Sequence, residues 1–135
     1  MTTGFPPPGD EHAVLALERA ALARWCRGDP SGFLELSDDD VGYFDPFRPR
    51  RIDGIVELTA YYEQLRGTIN AVAWEVLEPR VVEIDDVAIL TFCFRSWGAS
   101  GAMVVWNCTE VYRRRPAGWR IAQTHWSFAA ADTPS

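Results

Sequence analysis

The sequence predicts an α+β domain in which a strongly curved antiparallel sheet wraps around a long helix. In the N-terminal half, apolar residues recur with helical spacing in three segments, whereas the C-terminal half alternates between β-rich stretches and turn signals. The 135 residues, 47% of them hydrophobic, suffice for one sizeable core but would leave two domains too small. We therefore expect three helices followed by an antiparallel meander.

Three helices are expected before the long strands. The first runs over residues 11–28, where apolar side chains recur every three or four positions up to a glycine. Asp29 is expected to cap a short second helix that carries Pro30 in its first turn. The third helix, with the same spacing, is expected over residues 55–67.

The strands begin with a short one at residues 41–44, which leads directly into Asp45 and Pro46. Proline lacks a donor and ends strand pairing, so Asp45 is expected at a strand end. Further on, the chain is rich in Val, Ile, Trp, Phe and Thr, the residues that strands prefer. Four long strands are expected at residues 70–84, 87–97, 102–113 and 119–128.

Alternation over residues 87–97 places two apolar rows on opposite faces of the sheet. One row can face the core, and the other can pair with the same surface of a second copy. We therefore predict a homodimer. The outward row is Val87, Ile89, Cys93 and Trp97, and the opposite row is Ala88, Leu90, Phe92 and Phe94.

Composition excludes several functional classes. A net charge of −6 gives no global positive field for nucleic acid. The basic runs at residues 48–51 and 113–115 lie beside turn signals, so we interpret both as solvated loop charge. The three cysteines are odd in number and lack CxxC spacing, which favours free thiols in a reducing cytoplasm.

The chain ends lie outside the expected domain, which spans residues 11–130. Residues 1–10 contain three consecutive prolines and are expected to form a disordered leader, and residues 131–135 form a tail. Residues 1–9 lack a charged start followed by an apolar stretch, and no run reaches the length that spans a bilayer, so we expect neither a signal peptide nor a membrane span. The sequence also lacks metal-ligand spacing and nucleotide-binding motifs, so we expect neither a metal nor an organic cofactor.

Aromatic residues exceed what a minimal core needs, which suggests that some line a cavity for a bulky apolar ligand. His125 lies in a strand among Trp and Thr and either faces this pocket or packs structurally, for instance at a subunit interface. The aromatic candidates for pocket lining are Trp25, Tyr43, Tyr62, Trp74, Phe92, Phe94, Trp106 and Trp126.

Two segments carry a resemblance to a known superfamily. The first is Asp45-Pro46-Phe47 with the helix up to Gln64, and the second is the terminal strand around His125-Trp126-Ser127. Together with the predicted order of helices and strands, these two segments resemble the nuclear transport factor 2-like superfamily, which includes ketosteroid isomerases and SnoaL-like cyclases. The resemblance covers the chain after residue 10 and implies a cone-shaped barrel.

The resemblance implies roles for four residues. Asp45 matches the isomerase base that moves a proton between carbons, and Glu110 falls near the acid that donates to the oxyanion. Tyr62 matches a tyrosine of the hydrogen-bond network, and Trp126 a pocket tryptophan. The first helix departs from the pattern, since it offers only Ala20, Ala21 and Leu22 where the isomerases have an essential tyrosine.

Each acidic residue also has a structural interpretation. Asp before Pro commonly accepts backbone N–H bonds in a turn, and Glu110 can form a cross-strand ion pair on the outer face. Burial in a pocket would instead make Asp45 a stronger base than an exposed aspartate. We expect a cofactor-independent enzyme that uses Asp45 for proton transfer on an apolar cyclic carbonyl compound. The alternative is a non-catalytic ligand-binding or dimerisation module of the same fold.

Overall fold

The computed structural model describes residues 11–130, so the predicted leader and tail lie outside the described residues. Its helices are α1 (Ala13–Trp25), α2 (Ser31–Leu36) and α3 (Ile55–Leu65). No helix in this part of the chain is long and apolar enough to cross a membrane. The strands are β1 (Ser37–Phe44), β2 (Ile52–Asp53), β3 (Ala73–Ile84), β4 (Val87–Trp97), β5 (Met103–Arg115) and β6 (Gly118–Phe128).

The strands form one sheet in the order β2-β1-β6-β5-β4-β3. The antiparallel meander of β3 to β6 and the α+β class are confirmed. The sheet differs from the expectation in being open and mixed, because β1 lies parallel to β6, with Tyr43 opposite Thr124. Parallel neighbours need a long connection, and here α3 and the whole meander supply it.

Strand β1 begins earlier than the sequence predicts. Its first half is acidic, a composition that strands usually avoid, and ion pairs with β5 offset this. Arg115 Nη2 lies 2.9 Å from Asp38 Oδ2, and Arg113 Nη2 lies 3.3 Å from Asp40 Oδ1. The expectation that residues 113–115 are solvated loop charge is therefore wrong, since they lie in β5 and pair with acids.

The core lies between α1 and the inner face of the sheet. On α1, Val14 and Leu22 are almost fully buried, and full burial of such a side chain contributes about 1.5–3 kcal/mol. Burial alternates along β4 as predicted. The inner row is Ala88, Leu90, Phe92 and Phe94, all buried, while Val87, Ile89, Cys93 and Trp97 are half-buried.

Gly28 joins the ends of α1 and α3. It has a φ of +87°, which side chains rarely adopt, and its carbonyl accepts the Gly67 N–H at 2.9 Å. A Cβ at this position would meet the Gly67 Cα at 3.1 Å. The close approach fixes the segment after α3, whose Ala71 N–H donates to the Cys26 carbonyl at 2.9 Å.

Candidate active site

Asp45 follows the last residue of β1, where Pro46 ends the strand. Its Oδ2 accepts hydrogen bonds from the hydroxyls of Tyr43 at 2.7 Å and Tyr61 at 2.6 Å. Its Oδ1 accepts the Phe47 N–H at 2.8 Å, which is the turn contact expected of Asp before Pro. One oxygen therefore serves the turn, and the other faces two phenols.

The carboxylate lies at the wall of a cavity of about 330 Å³. The cavity lies between the helices and the inner face of the sheet, and most of its walls are apolar. Oxygen-bearing side chains in the lining are those of Asp45, the three tyrosines and Ser96. The lining comprises Leu22, Trp25, Cys26, Phe33, Tyr43, Asp45, Phe47, Tyr61, Tyr62, Leu65, Ile69, Ala71, Phe94, Ser96, Val104, Trp106 and Trp126.

Three tyrosines pack against one another beside Asp45. The ring centre of Tyr43 lies 5.4 Å from that of Tyr62 and 5.9 Å from that of Tyr61. Burial is the main cause that raises the pKa of each of the three hydroxyls above its ordinary value. At neutral pH all three therefore remain O–H donors, and the Asp45 carboxylate accepts from two of them, Tyr43 and Tyr61.

The helix α3 supplies two of these tyrosines. Leu58 and Tyr62 are its buried residues, and Tyr61 lies next to Tyr62 on the adjoining part of the helix surface. The helix starts after Gly54, whose N–H donates to the Val41 carbonyl at 2.7 Å. This contact anchors α3 to β1, so Asp45 and its tyrosine donors come from two elements that are fastened together.

The side chains predicted to bind a ligand fall into two groups. Tyr43, Tyr62, Trp106 and Trp126 line the cavity together with Asp45. Three others are not among the lining residues, and their contact with a ligand stays a prediction. Trp74 packs on Phe94, Phe92 packs on Trp126, and His125 is exposed and packs on Phe44.

Glu110 faces the interior, where it lies beside Glu18 of α1, and both carboxyl groups are fully buried. Thr124 Oγ1 donates to Glu110 Oε2 at 2.7 Å, and the Tyr112 hydroxyl donates to Glu18 Oε1 at 2.7 Å. Glu110 is not among the lining residues, so its role as a donor to substrate stays a prediction.

The two remaining oxygens of this pair, Glu18 Oε2 and Glu110 Oε1, have no donor within residues 11–130. Burial first, and the charge of Glu110 second, raise the pKa of Glu18 well above its ordinary value. Burial likewise raises the pKa of Glu110. A single proton held between the free oxygens gives one acid and one carboxylate, which avoids two buried charges in contact.

Among the described residues, one group of side chains has the donor atoms for a metal ion. It consists of Glu18, Cys108 and Glu110, whose ligand atoms lie within 4.8 Å of one another. Burial raises the pKa of the Cys108 thiol, which opposes the deprotonation that a metal needs. A proton shared by Glu18 and Glu110 already removes one of the two buried negative charges, so charge balance does not call for a metal ion here.

Comparison with known proteins gives the family. Residues 14–131 match the SnoaL-like domain. The chain belongs to the SnoaL-like domain family. No sequence match was found among curated proteins.

This SnoaL-like domain is similar to several solved structures. A candidate ketosteroid isomerase from Parabacteroides distasonis is 38% identical, with a TM-score of 0.80 over 92% of this chain and 93% of that one. A nuclear transport factor 2-like protein of unknown function from Pseudomonas putida is 21% identical, with a TM-score of 0.78 over 96% and 92%. The calcium/calmodulin-dependent kinase II hub of S. rosetta is 21% identical, with a TM-score of 0.71 over 92% and 100%.

Sequence reasoning missed two polar residues of this SnoaL-like domain. Glu18 interrupts the apolar face of α1 between buried Leu15 and Leu22, and an acid at such a position signals a buried partner. Tyr61 had no separate signal, because the apolar spacing that predicts α3 includes Tyr61 and Tyr62 alike. Only the structure shows that Tyr61 reaches Asp45.

Proposed function

We propose that this SnoaL-like domain is an enzyme that moves a proton on an apolar cyclic carbonyl compound, with Asp45 as the base. The observation that carries the proposal is the position of the Asp45 carboxylate in an otherwise apolar cavity. Proton abstraction beside a carbonyl needs a base near the carbon, little competing water and a donor for the enolate oxygen. Asp45, the aromatic walls and the tyrosine hydroxyls can meet these needs without a cofactor.

The similar structures support this proposal in part. The Parabacteroides structure, at 38% identity, is described as a candidate ketosteroid isomerase, and a structure from Streptomyces avermitilis is described as a candidate dehydratase. Both names imply proton transfer at carbon. The second structure is only 23% identical, so it contributes the fold rather than the reaction.

A second proposal is a ligand-binding or dimerisation module. The α1 residues that line the cavity are Leu22 and Trp25, followed by the capping Cys26, and none carries a hydroxyl. Kinase hub and association domains are among the similar structures, and at 21% and 20% identity they contribute the fold alone. The half-buried outer row of β4 offers an apolar surface for a second copy. Light scattering at micromolar concentration should give the mass of a dimer, and a monomer mass would contradict this assembly.

Replacing Asp45 separates the two proposals. Hydrogen–deuterium exchange beside the carbonyl of 2-tetralone, followed by NMR in D₂O, reports proton abstraction from an apolar cyclic ketone. Asp45→Asn should slow the exchange by about 10²- to 10⁴-fold, the usual contribution of a general base. Asp86→Asn, which removes an exposed carboxylate, is the matched control. Equal exchange rates in Asp45→Asn and the unaltered protein would contradict the enzyme proposal and favour the ligand-binding or dimerisation module.

A further inference from the structure

The cavity lacks a hydroxyl from α1, so a hydroxyl that donates to a substrate oxygen has to come from another element. The hydroxyls closest to the proposed base are those of Tyr43 and Tyr61, and both donate to the same oxygen of Asp45. Two phenols on one carboxylate oxygen exceed what is needed to orient it, because the Phe47 N–H already holds the other oxygen. One of the two hydroxyls is therefore available for a ligand.

The two tyrosines differ in their freedom to move. Tyr43 is only 4% exposed, belongs to β1, and packs against both Tyr61 and Tyr62. Tyr61 is half-buried and lies on the surface of α3 that borders the cavity. Both rings contact Tyr62 and each other, so the difference between the two side chains is in burial, and the more exposed Tyr61 can rotate with less repacking than Tyr43. Tyr61 is thus the donor that can be redirected.

We infer that Tyr61 transfers its hydrogen bond from Asp45 to the carbonyl oxygen of the bound ligand and serves as the oxyanion donor of the proposed reaction. The inference rests on the proposed function. The same movement has two effects, because it provides a donor to the substrate and removes one donor from the base. A carboxylate that loses a hydrogen bond becomes a stronger proton acceptor.

The atoms and electrons of this step balance without any further reactant. Asp45 takes the proton from the carbon beside the carbonyl, and the electron pair of the C–H bond forms the enolate double bond. The carbonyl π pair moves to the oxygen, which the Tyr61 O–H stabilises without giving up its proton. Asp45, now a carboxylic acid, returns the proton to carbon and regenerates the carboxylate.

Arg48 packs over the ring of Tyr61. Its guanidinium carbon lies 4.8 Å from the centre of the Tyr61 ring. Its Nε is buried and meets no acceptor within residues 11–130. A cation over a phenol stabilises negative charge that develops on the phenol oxygen as it donates. Arg48 is therefore a positioning residue that makes Tyr61 a better donor.

The test uses 2-tetralone with a ¹³C-labelled carbonyl. Saturable binding is first measured by quenching of tryptophan fluorescence. Infrared difference spectroscopy then gives the carbonyl stretch of the bound ketone, which falls in frequency when the oxygen accepts a hydrogen bond. The variants are Tyr61→Phe, its matched control Tyr43→Phe, and Arg48→Met with Arg48→Lys as the conservative replacement. Circular dichroism and thermal unfolding establish that each variant is folded.

Tyr61→Phe should raise the carbonyl frequency towards that of the free ketone and lower kcat by about 10²-fold, the effect of losing an oxyanion donor. Tyr43→Phe should leave the frequency lowered. Arg48→Met should lower kcat by about fivefold with a partial frequency change, and Arg48→Lys should restore both.

Two results overturn the inference. An unchanged frequency and kcat in Tyr61→Phe remove Tyr61 as the donor, while a loss of exchange in Asp45→Asn still supports the proposed function. Absence of saturable 2-tetralone binding counts against both. If exchange is independent of Asp45 but the frequency depends on Tyr61, the donor contact stands and the enzymatic role of Asp45 fails.

Discussion

Two acidic sites of this domain, Asp45 and the Glu18–Glu110 pair, have opposite surroundings. Asp45 borders a cavity and receives three donors, two of them phenols. Glu18 and Glu110 lie in the packed core, where each receives one donor and each keeps one oxygen without any among the described residues. Donors can support a negative charge at Asp45, whereas the buried pair needs a proton. Whether a carboxyl group of this domain can hold a negative charge or needs a proton therefore depends on the donors and the burial around it.

The largest expected contrast is in stability. Glu110→Ala leaves a void and removes the acceptor of Thr124 in the core, so the free energy of unfolding should fall by about 3 kcal/mol. Asp45→Ala should cost only about 1 kcal/mol, because water in the cavity can replace the carboxylate as an acceptor. Urea denaturation at neutral pH measures both. Similar losses in the two variants would contradict the contrast.

A smaller contrast is expected from the phenols that serve each site. Tyr112→Phe removes the donor to Glu18 in the dry core and should cost about 1–3 kcal/mol of unfolding free energy. Tyr43→Phe removes one of three donors to Asp45 beside the cavity and should cost about 1 kcal/mol or less. The two Tyr→Phe changes remove the same atom, so a larger loss in Tyr43→Phe would reverse the comparison.

The third contrast is in the response to pH. The folded protein holds the proton of the Glu18–Glu110 pair more tightly than the unfolded chain, since burial raises the pKa of both groups above 4.5. This contribution to stability is fully present below the unfolded value and is lost as the pH rises through the folded one. Cys108 and Tyr112 also face the pair, and burial raises the pKa of both, so they stay neutral.

Glu18→Gln should flatten this dependence, because an amide can donate to Glu110 at any pH. The fall in unfolding free energy above pH 5 should be smaller in Glu18→Gln than in the unaltered protein. Ser96→Ala, which leaves both carboxyl groups of the pair in place and removes no titratable group, is the control and should keep the original slope. Parallel curves for Glu18→Gln and the unaltered protein would show that the pair does not share a proton.

The sequence predicts well what depends on local pattern. The spacing of apolar residues found α1 and α3, and alternation placed the inner row of β4. It also placed Asp45 at the end of β1, because the Asp-Pro pair is a local signal. Contacts between segments that are distant in the sequence could not be predicted from local patterns. The ion pairs that allow an acidic start to β1 and the partner of Glu110 are both set by packing.

The candidate site shows the same division. Tyr43, Tyr62, Trp106 and Trp126 were predicted from type and strand or helix position, and they line the cavity. Trp74 and Phe92 have the same character but lie elsewhere, since alternation gives the face of a strand and not the distance along it to the cavity. Whether Tyr61 or Tyr62 would reach Asp45 depends on the rotation of α3 by part of a turn.

The parallel pairing of β1 with β6 also has a consequence for the order of folding. The segment that carries Asp45 comes early in the described part of the chain, yet its sheet neighbour β6 is the last strand among residues 11–130. Non-local pairing is slow because a long loop must close before the contact forms. An emerging chain can therefore assemble helices and hairpins while Asp45 still lacks the framework that fixes it. We expect residues 42–44 of β1, which pair with β6 and lead into Asp45, to become protected from amide exchange last.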